Sequence, residues 1–181
     1  MSILPDPTAL AKLISGVTRT MCATTFVPGD PLDRGESVCS QMVMLPLTGA
    51  RTFTVVVSSD MRGSRALGSA FFGCADSDLT QDMVDDSIGE LLNMVAGQIS
   101  SVLGLDLTLG LPRPATLADI IAAGGSGLGD AELFRSEGSI DLGLWIFETC
   151  AVAATEPVVK PPRRSTFRSL LKRLRPGLPG S

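Results

Sequence analysis

The most regular pattern of apolar and polar positions lies between Asp78 and Gly104. Its apolar residues recur at the spacing of one helix face. They are Val84, Ile88, Leu92, Val95, Ile99 and Val102. The acidic residues after Asp78 are typical of a helix start, and Gly104 is typical of a helix stop. The pattern therefore predicts one long amphipathic helix whose apolar face packs on a core.

A second set of residues on this helix lies almost opposite the apolar face. It comprises Asp86, Glu90, Asn93 and Gly97, at positions i, i+4, i+7 and i+11. This spacing places carboxylates, an amide and a small residue together, where a single partner would contact all of them. Polar residues opposite a buried face are also the ordinary condition of an amphipathic helix. From spacing alone, a solvated surface remains the alternative.

Three further patterns predict helices. One runs from a cap at Thr8 to about Cys22, and its apolar residues form a single stripe. They are Leu10, Leu13, Ile14, Val17 and Met21. A shorter pattern within 60–73 predicts a helix that covers the sheet. Thr116 is placed to cap one or two helical turns that reach Ala123.

The remaining segments alternate as strands do or contain turn residues. Residues 25–36 are turn-rich. Residues 37–47 and 52–58 predict an antiparallel hairpin, and 105–111 predicts a half-buried strand that Pro112-Arg-Pro114 ends. The last strands are expected at 132–135 and 139–149, with a turn at Gly138 and one face made of Ile140, Leu142, Leu144 and Ile146.

Charge divides the chain into two parts. Residues 157–181 hold seven of the 15 basic residues and no acid, so residues 1–156 have a net charge of −11. We expect one domain over 1–156 and a proline-rich basic tail, flexible, over 157–181. Residues 165–174 have the pattern of a short basic amphipathic helix. This segment would dock on an anionic membrane surface, on an acidic partner or on the acidic body. The alternative is a disordered tail that binds none of them.

Composition excludes several kinds of function. The chain has no histidine, which excludes histidine-based triads and metal sites. Its four cysteines form no C-x-x-C pair, so we expect no structural zinc site. We expect the cysteines to be reduced thiols in a cytoplasmic protein. The glycines at 124–129 lack the strand and helix context of a nucleotide site. The chain has no tyrosine and one tryptophan, so we expect no nucleic-acid partner. Asp6 and Lys12 interrupt the N-terminal region, so we expect no signal peptide, and no apolar run is long enough for a membrane span. We also expect no cofactor of its own.

The pattern Asp86-x-x-x-Glu90-x-x-Asn93, followed by Met94 and Gly97, resembles the signature of the CheC/CheX/FliY family of chemotaxis phosphatases. It is most similar to the CheX-like branch, because the first helix lacks the duplicate motif of CheC. The resemblance covers most of 1–150, although Pro112 and Pro114 arrive a few residues earlier than the proline of the family.

The resemblance implies an α+β fold and a homodimer paired through the sheets. In this fold, two long helices pack side by side on one face of a mixed, largely antiparallel sheet. The family dephosphorylates the aspartyl phosphate of response-regulator receivers such as CheY, which carry Mg²⁺ themselves.

The resemblance also implies roles for the four residues of the helix. Asn93 would orient the attacking water, and Glu90 would dock to the receiver lysine. Asp86 and Gly97 would contact the partner. A carboxamide suits the first role because it donates and accepts hydrogen bonds and adds no negative charge beside the phosphoryl group. The alternative is a non-catalytic adaptor that binds a receiver or another signalling protein and is recruited through its basic tail.

Overall fold

The computed structural model describes residues 4–30, 40–124, 131–138 and 140–149. The predicted basic tail lies outside these residues. So do most of the glycine-rich segment, the start of the strand predicted from residue 37, Ser139, and two of the four cysteines.

The described residues form four α-helices and seven β-strands, with one 3₁₀ turn at Asp76–Asp78. The helices are α1 (Pro7–Cys22), α2 (Met61–Phe72), α3 (Gln81–Leu103) and α4 (Leu117–Ala122). The strands are β1 (Phe26–Pro28), β2 (Gln41–Thr48), β3 (Phe53–Ser59), β4 (Thr108–Leu109), β5 (Arg113–Pro114), β6 (Glu132–Ser136) and β7 (Asp141–Glu148).

The strands form one sheet in the order β1-β6-β7-β3-β2-β4, and β5 also pairs with β2. Every pair among the described strands is antiparallel. The predicted hairpin is confirmed, because β2 and β3 pair from Gln41 opposite Ser59 to Leu47 opposite Phe53. The α+β class and the antiparallel character of the sheet are therefore confirmed as well.

One face of the sheet is covered by α1, α2 and α3, as predicted for the two long helices. The strands contribute alternate residues to this core, since successive side chains point to opposite faces. In β3, Val55 and Val57 pack with Ile88 and Leu92 of α3. All seven residues of β3 are buried, because the strand lies in the middle of the sheet with cover on both faces.

The opposite face has a smaller core beneath α4. Val56 and Trp145 of the central strands pack there with Ile120. The Thr116 hydroxyl accepts from the Asp119 amide and so caps α4, and the Asp119 carboxylate accepts from the Thr116 amide, which completes a capping box. The predicted start of this helix is confirmed.

Three expectations about these elements were wrong. The cap of α1 is Asp6, whose carboxylate accepts from the Ala9 amide at 2.8 Å, rather than Thr8. The strand expected over 105–111 is reduced to Thr108–Leu109. Val102 is 61% exposed, because in the last turn of α3 it is Leu103 that packs against the core.

Strand β1 lies in a segment where only turns were expected. Its side chains follow no long alternation, because three residues are too few to show one. It is held by β6 on one side and by α1 on the other. The Ser15 hydroxyl donates to the Phe26 carbonyl at 3.0 Å and accepts from the Phe26 amide at 2.8 Å.

We expect Val95→Ala to lower the free energy of unfolding by about 2 kcal/mol, because Val95 is 1% exposed and its methyl groups fill the core. Val102→Ala is the matched control, since it makes the same change in the same helix with the same gain in helix propensity. It should change stability by less than about 0.5 kcal/mol. Urea denaturation of both variants measures the difference, and equal losses would contradict the assigned rotation of α3.

Candidate functional site

The four predicted site residues all lie on the side of α3 that faces away from the sheet. Asp86 and Glu90 are exposed, and Asn93 and Gly97 are partly exposed. The residues between them, Ile88, Leu91, Leu92, Val95 and Ala96, are buried. The packing of the apolar face therefore turns the polar residues toward solvent, and they form one continuous surface.

Glu90 and Asn93 touch each other on this surface. The Asn93 amide nitrogen donates to a Glu90 carboxylate oxygen at 3.4 Å, which is longer than a typical N–H···O bond. Glu90 is exposed and Asn93 is partly exposed, and a bond of this length costs little to exchange for a bond to a partner. The arrangement presents an acceptor-only carboxylate next to an amide that both donates and accepts.

The first half of α3 is strongly acidic. Asp82, Asp85, Asp86 and Glu90 fall within its first ten residues, and the helix contains no lysine or arginine. Asp85 accepts from the Gln81 amide at 2.7 Å and from the Gln41 amide at 3.1 Å, which ties it to β2. Acids near a helix N-terminus are favoured by the helix dipole, and together they give a surface that attracts a cationic group.

Two glycines of α3, Gly89 and Gly97, have no side chain to keep other groups away from the helix backbone. A Cβ atom added at Gly97 would meet nothing within 4 Å, so the helix is open there. A Cβ atom at Gly89 would lie 3.8 Å from the Cβ of Pro112. The segment that follows β4 therefore packs beside α3, one residue before Glu90.

This neighbouring segment is a β-bulge that sequence reasoning missed. Strand β4 pairs Leu109 with Leu47, and β5 pairs Arg113 with Met44. The Gly110 amide donates to the Pro46 carbonyl at 2.8 Å, so two residues, 111 and 112, stand opposite Leu45 alone. Pro112 and Pro114, which predict the end of a strand, are the available signal, since proline in a sheet is confined to edges and bulges.

The bulge is followed by the capped turn of α4. Arg113 lies 3.3 Å from Asp119, and the Thr116 hydroxyl donates to the same carboxylate at 2.6 Å. These bonds, first from the Thr116 side chain, then from its backbone amide and from Arg113, hold the pKa of Asp119 below its usual value. The chain leaving the bulge is thus tied back to β5.

Neither a metal-ligating cluster nor a membrane-spanning helix is present among the described residues. Among those residues, no group of three or more cysteine, aspartate and glutamate side chains is placed to hold a metal ion. No described helix has both the length and the apolar character needed to cross a membrane. The two described cysteines, Cys22 and Cys74, are free thiols and half-buried. Burial raises the pKa of Cys22, which makes it a poor nucleophile.

Comparison with known proteins supports the resemblance noted in the sequence. The model of the family described as chemotaxis phosphatase CheX matches residues 42–127. No curated protein sequence matches the chain.

Solved structures share the fold. A CheX protein from Desulfovibrio desulfuricans is 16% identical, with a TM-score of 0.54, over 77% of this chain and 99% of its own. A CheX protein from Vibrio vulnificus is 18% identical, with a TM-score of 0.54, over 78% of this chain and 94% of its own. A CheX–CheY–BeF₃–Mg²⁺ complex from Borrelia burgdorferi contains a chain that is 15% identical, with a TM-score of 0.56, over 80% and 99%. The predicted similarity to CheX proteins is confirmed by the match to the family model and by the shared fold.

We expect the carboxyl group of Asp119 to titrate below the pKa of an ordinary aspartate, about 3.9. Because the folded-state pKa is lowered, the stabilisation from this group is complete above that value and is lost as the pH falls through the folded-state pKa. Thr116→Val removes the hydroxyl bond and should raise the pKa. NMR titration of the side-chain carboxyl measures it, and an ordinary pKa in the unmodified protein would contradict the capping geometry.

Proposed function

We propose that this protein hydrolyses the aspartyl phosphate of a CheY-like response-regulator receiver, with Asn93 orienting the attacking water and Glu90 docking to the receiver lysine. The observation that supports the proposal is the solvent-facing pair of Glu90 and Asn93 on a rigid helix of a CheX-like fold. CheX proteins are chemotaxis phosphatases, which agrees with phosphatase activity in general.

The proposed role of Asn93 follows from what the hydrolysis requires. An aspartyl phosphate is an activated acyl phosphate, and its hydrolysis needs a water in line behind phosphorus. The chemistry is mainly positioning, so the orienting group must be held rigidly. Asn93 meets this need because its helix neighbours Leu92 and Val95 are fully buried, which fixes the backbone from which the amide extends.

The proposed role of Glu90 follows from its charge. A carboxylate beside the phosphoryl group would repel it, so Glu90 is better placed on a cation of the receiver. Its long bond to Asn93 is easily exchanged for a bond to a lysine, which would also free the Asn93 amide for water. The acids at Asp82 and Asp86 add to the attraction, and Asp86 lies one turn before Glu90.

The comparison with the Borrelia burgdorferi complex supports the choice of partner, because that CheX protein is bound to CheY with BeF₃ and Mg²⁺. In our proposal the Mg²⁺ belongs to the receiver, and this chain supplies no cofactor. The proposal places the protein in the cytoplasm, as a 1–156 domain that forms a homodimer and has a basic tail at 157–181.

We expect Asn93→Ala to lower kcat for receiver dephosphorylation by about 100-fold and to leave KM nearly unchanged, because the water is no longer oriented. Glu90→Gln should instead raise KM, since docking loses a charge. Decay of ³²P-labelled receiver, measured over a range of receiver concentrations, separates the two effects. Thermal unfolding of both variants is the control for folding, and we expect no change because both side chains are outside the core.

An unchanged rate for Asn93→Ala would contradict the assignment of the water-orienting group. Receiver binding without any effect on the lifetime of the phosphate would favour the adaptor instead. In that case both variants would alter affinity alone.

We expect Gly97→Leu to weaken receiver binding by at least tenfold, because a side chain would fill the space into which the partner approaches. Gly16→Leu on α1 is the matched control, since a Cβ atom there also meets nothing within 4 Å. Both changes improve helix propensity equally, so both proteins should fold. Calorimetric titration with a BeF₃⁻- and Mg²⁺-loaded receiver measures the affinities, and equal affinities for the two variants would argue against a partner at Gly97.

A further inference from the structure

We propose that Leu111, at the tip of the β-bulge, is an apolar anchor that contacts the same receiver as Glu90 and Asn93. This inference rests on the proposed function, since it adds a second contact to the docking surface of that partner. It concerns a residue outside α3 and outside the Asp86–Gly97 motif.

The bulge holds Leu111 in a defined position. On one side, Leu109 pairs with Leu47 and the Gly110 amide donates to the Pro46 carbonyl. On the other side, Arg113 pairs with Met44. A Cβ atom at residue 110 would lie 2.6 Å from the Cγ of Pro46, so glycine is required for this close approach. Leu111 therefore extends from a backbone that both neighbouring segments fix.

The bulge also places Leu111 near the Glu90–Asn93 pair. Pro112 packs against α3 at Gly89, the residue that precedes Glu90, and Leu111 is the next residue along the bulge. A stable protein interface covers about 800 Å² on each partner, which corresponds to a disc of roughly 16 Å radius. An interface of this size centred on Glu90 and Asn93 extends beyond the contact between Pro112 and Gly89, and we infer that it includes Leu111.

The exposure of Leu111 fits an anchor. Leu111 is 78% exposed, which is the highest value among the large apolar side chains of the described residues. A side chain on a rigid backbone loses little conformational freedom when a partner covers it, so most of the gain from apolar burial is retained as affinity. The acids of α3 would select and orient the receiver, and Leu111 would add contact that salt does not screen.

The test compares Leu111→Ser with Ile121→Ser in the full chain. Ile121 is 56% exposed and belongs to α4 on the opposite face of the sheet, so it controls for the loss of an exposed apolar side chain. The probe is a CheY-like receiver loaded with Mg²⁺ and BeF₃⁻. We expect Leu111→Ser to raise Kd and KM about tenfold with kcat unchanged, and Ile121→Ser and Leu111→Met to remain close to the unmodified protein.

Salt provides the second readout. The fold-loss of receiver affinity caused by Leu111→Ser should be the same at 50 mM and 500 mM NaCl. The fold-loss of affinity caused by Glu90→Gln should be smaller at 500 mM NaCl. Equal affinities for Leu111→Ser and the unmodified protein would overturn the anchor while leaving the proposed function intact. If the unmodified protein does not bind the loaded receiver, the anchor and the proposed function are both overturned. If it binds and Leu111→Ser weakens binding but no variant affects hydrolysis, the anchor stands and the phosphatase proposal fails.

Discussion

The burial of one face of α3 against the middle of the sheet is the constraint on which the candidate site depends. Ile88, Leu92 and Val95 are at most 1% exposed, and they pack on strands that are themselves covered on both faces. Any rotation of the helix would expose this apolar surface to water and is therefore strongly disfavoured. The orientation of Glu90 and Asn93 toward solvent follows from the packing on the other side of the same helix.

The edge of the sheet next to α3 adds a second element to this surface. Strand β2 receives two short strands from the segment after α3, and they are separated by the bulge at 111–112. An edge strand can accommodate the bulge and the two prolines because its outer backbone groups need no sheet partner. The same irregularity brings Pro112 against Gly89 and directs Leu111 outward, so the docking surface we propose is formed by a helix and a sheet edge together.

Charge and rigidity have separate roles in this arrangement. The acids of α3 act over several ångströms and are screened by salt, so they influence encounter and orientation more than final affinity. The Asn93 amide acts only at hydrogen-bond distance, where the position of the backbone matters most. The long Glu90–Asn93 bond connects the two roles, because occupation of Glu90 by a cation would change the hydrogen bonding of the amide.

Much of the architecture could be predicted from the sequence because it arises from long periodic segments and from local caps. The 23-residue α3, the β2–β3 hairpin, the cap at Thr116 and the alternation in β7 all depend on residues close together in the chain. The motif of Asp86, Glu90, Asn93 and Gly97 was visible for the same reason, since helical spacing alone determines which residues share a face.

Only the tertiary structure decided the short edge elements and the ends of helices. Strands of two or three residues, such as β1, β4 and β5, show no periodicity, and each is formed by a partner strand distant in sequence. The bulge depends on a register between β2 and a segment about 65 residues later, which no local pattern encodes. Val102 was misplaced because helical spacing gives the direction of a side chain but not whether another element lies there to cover it.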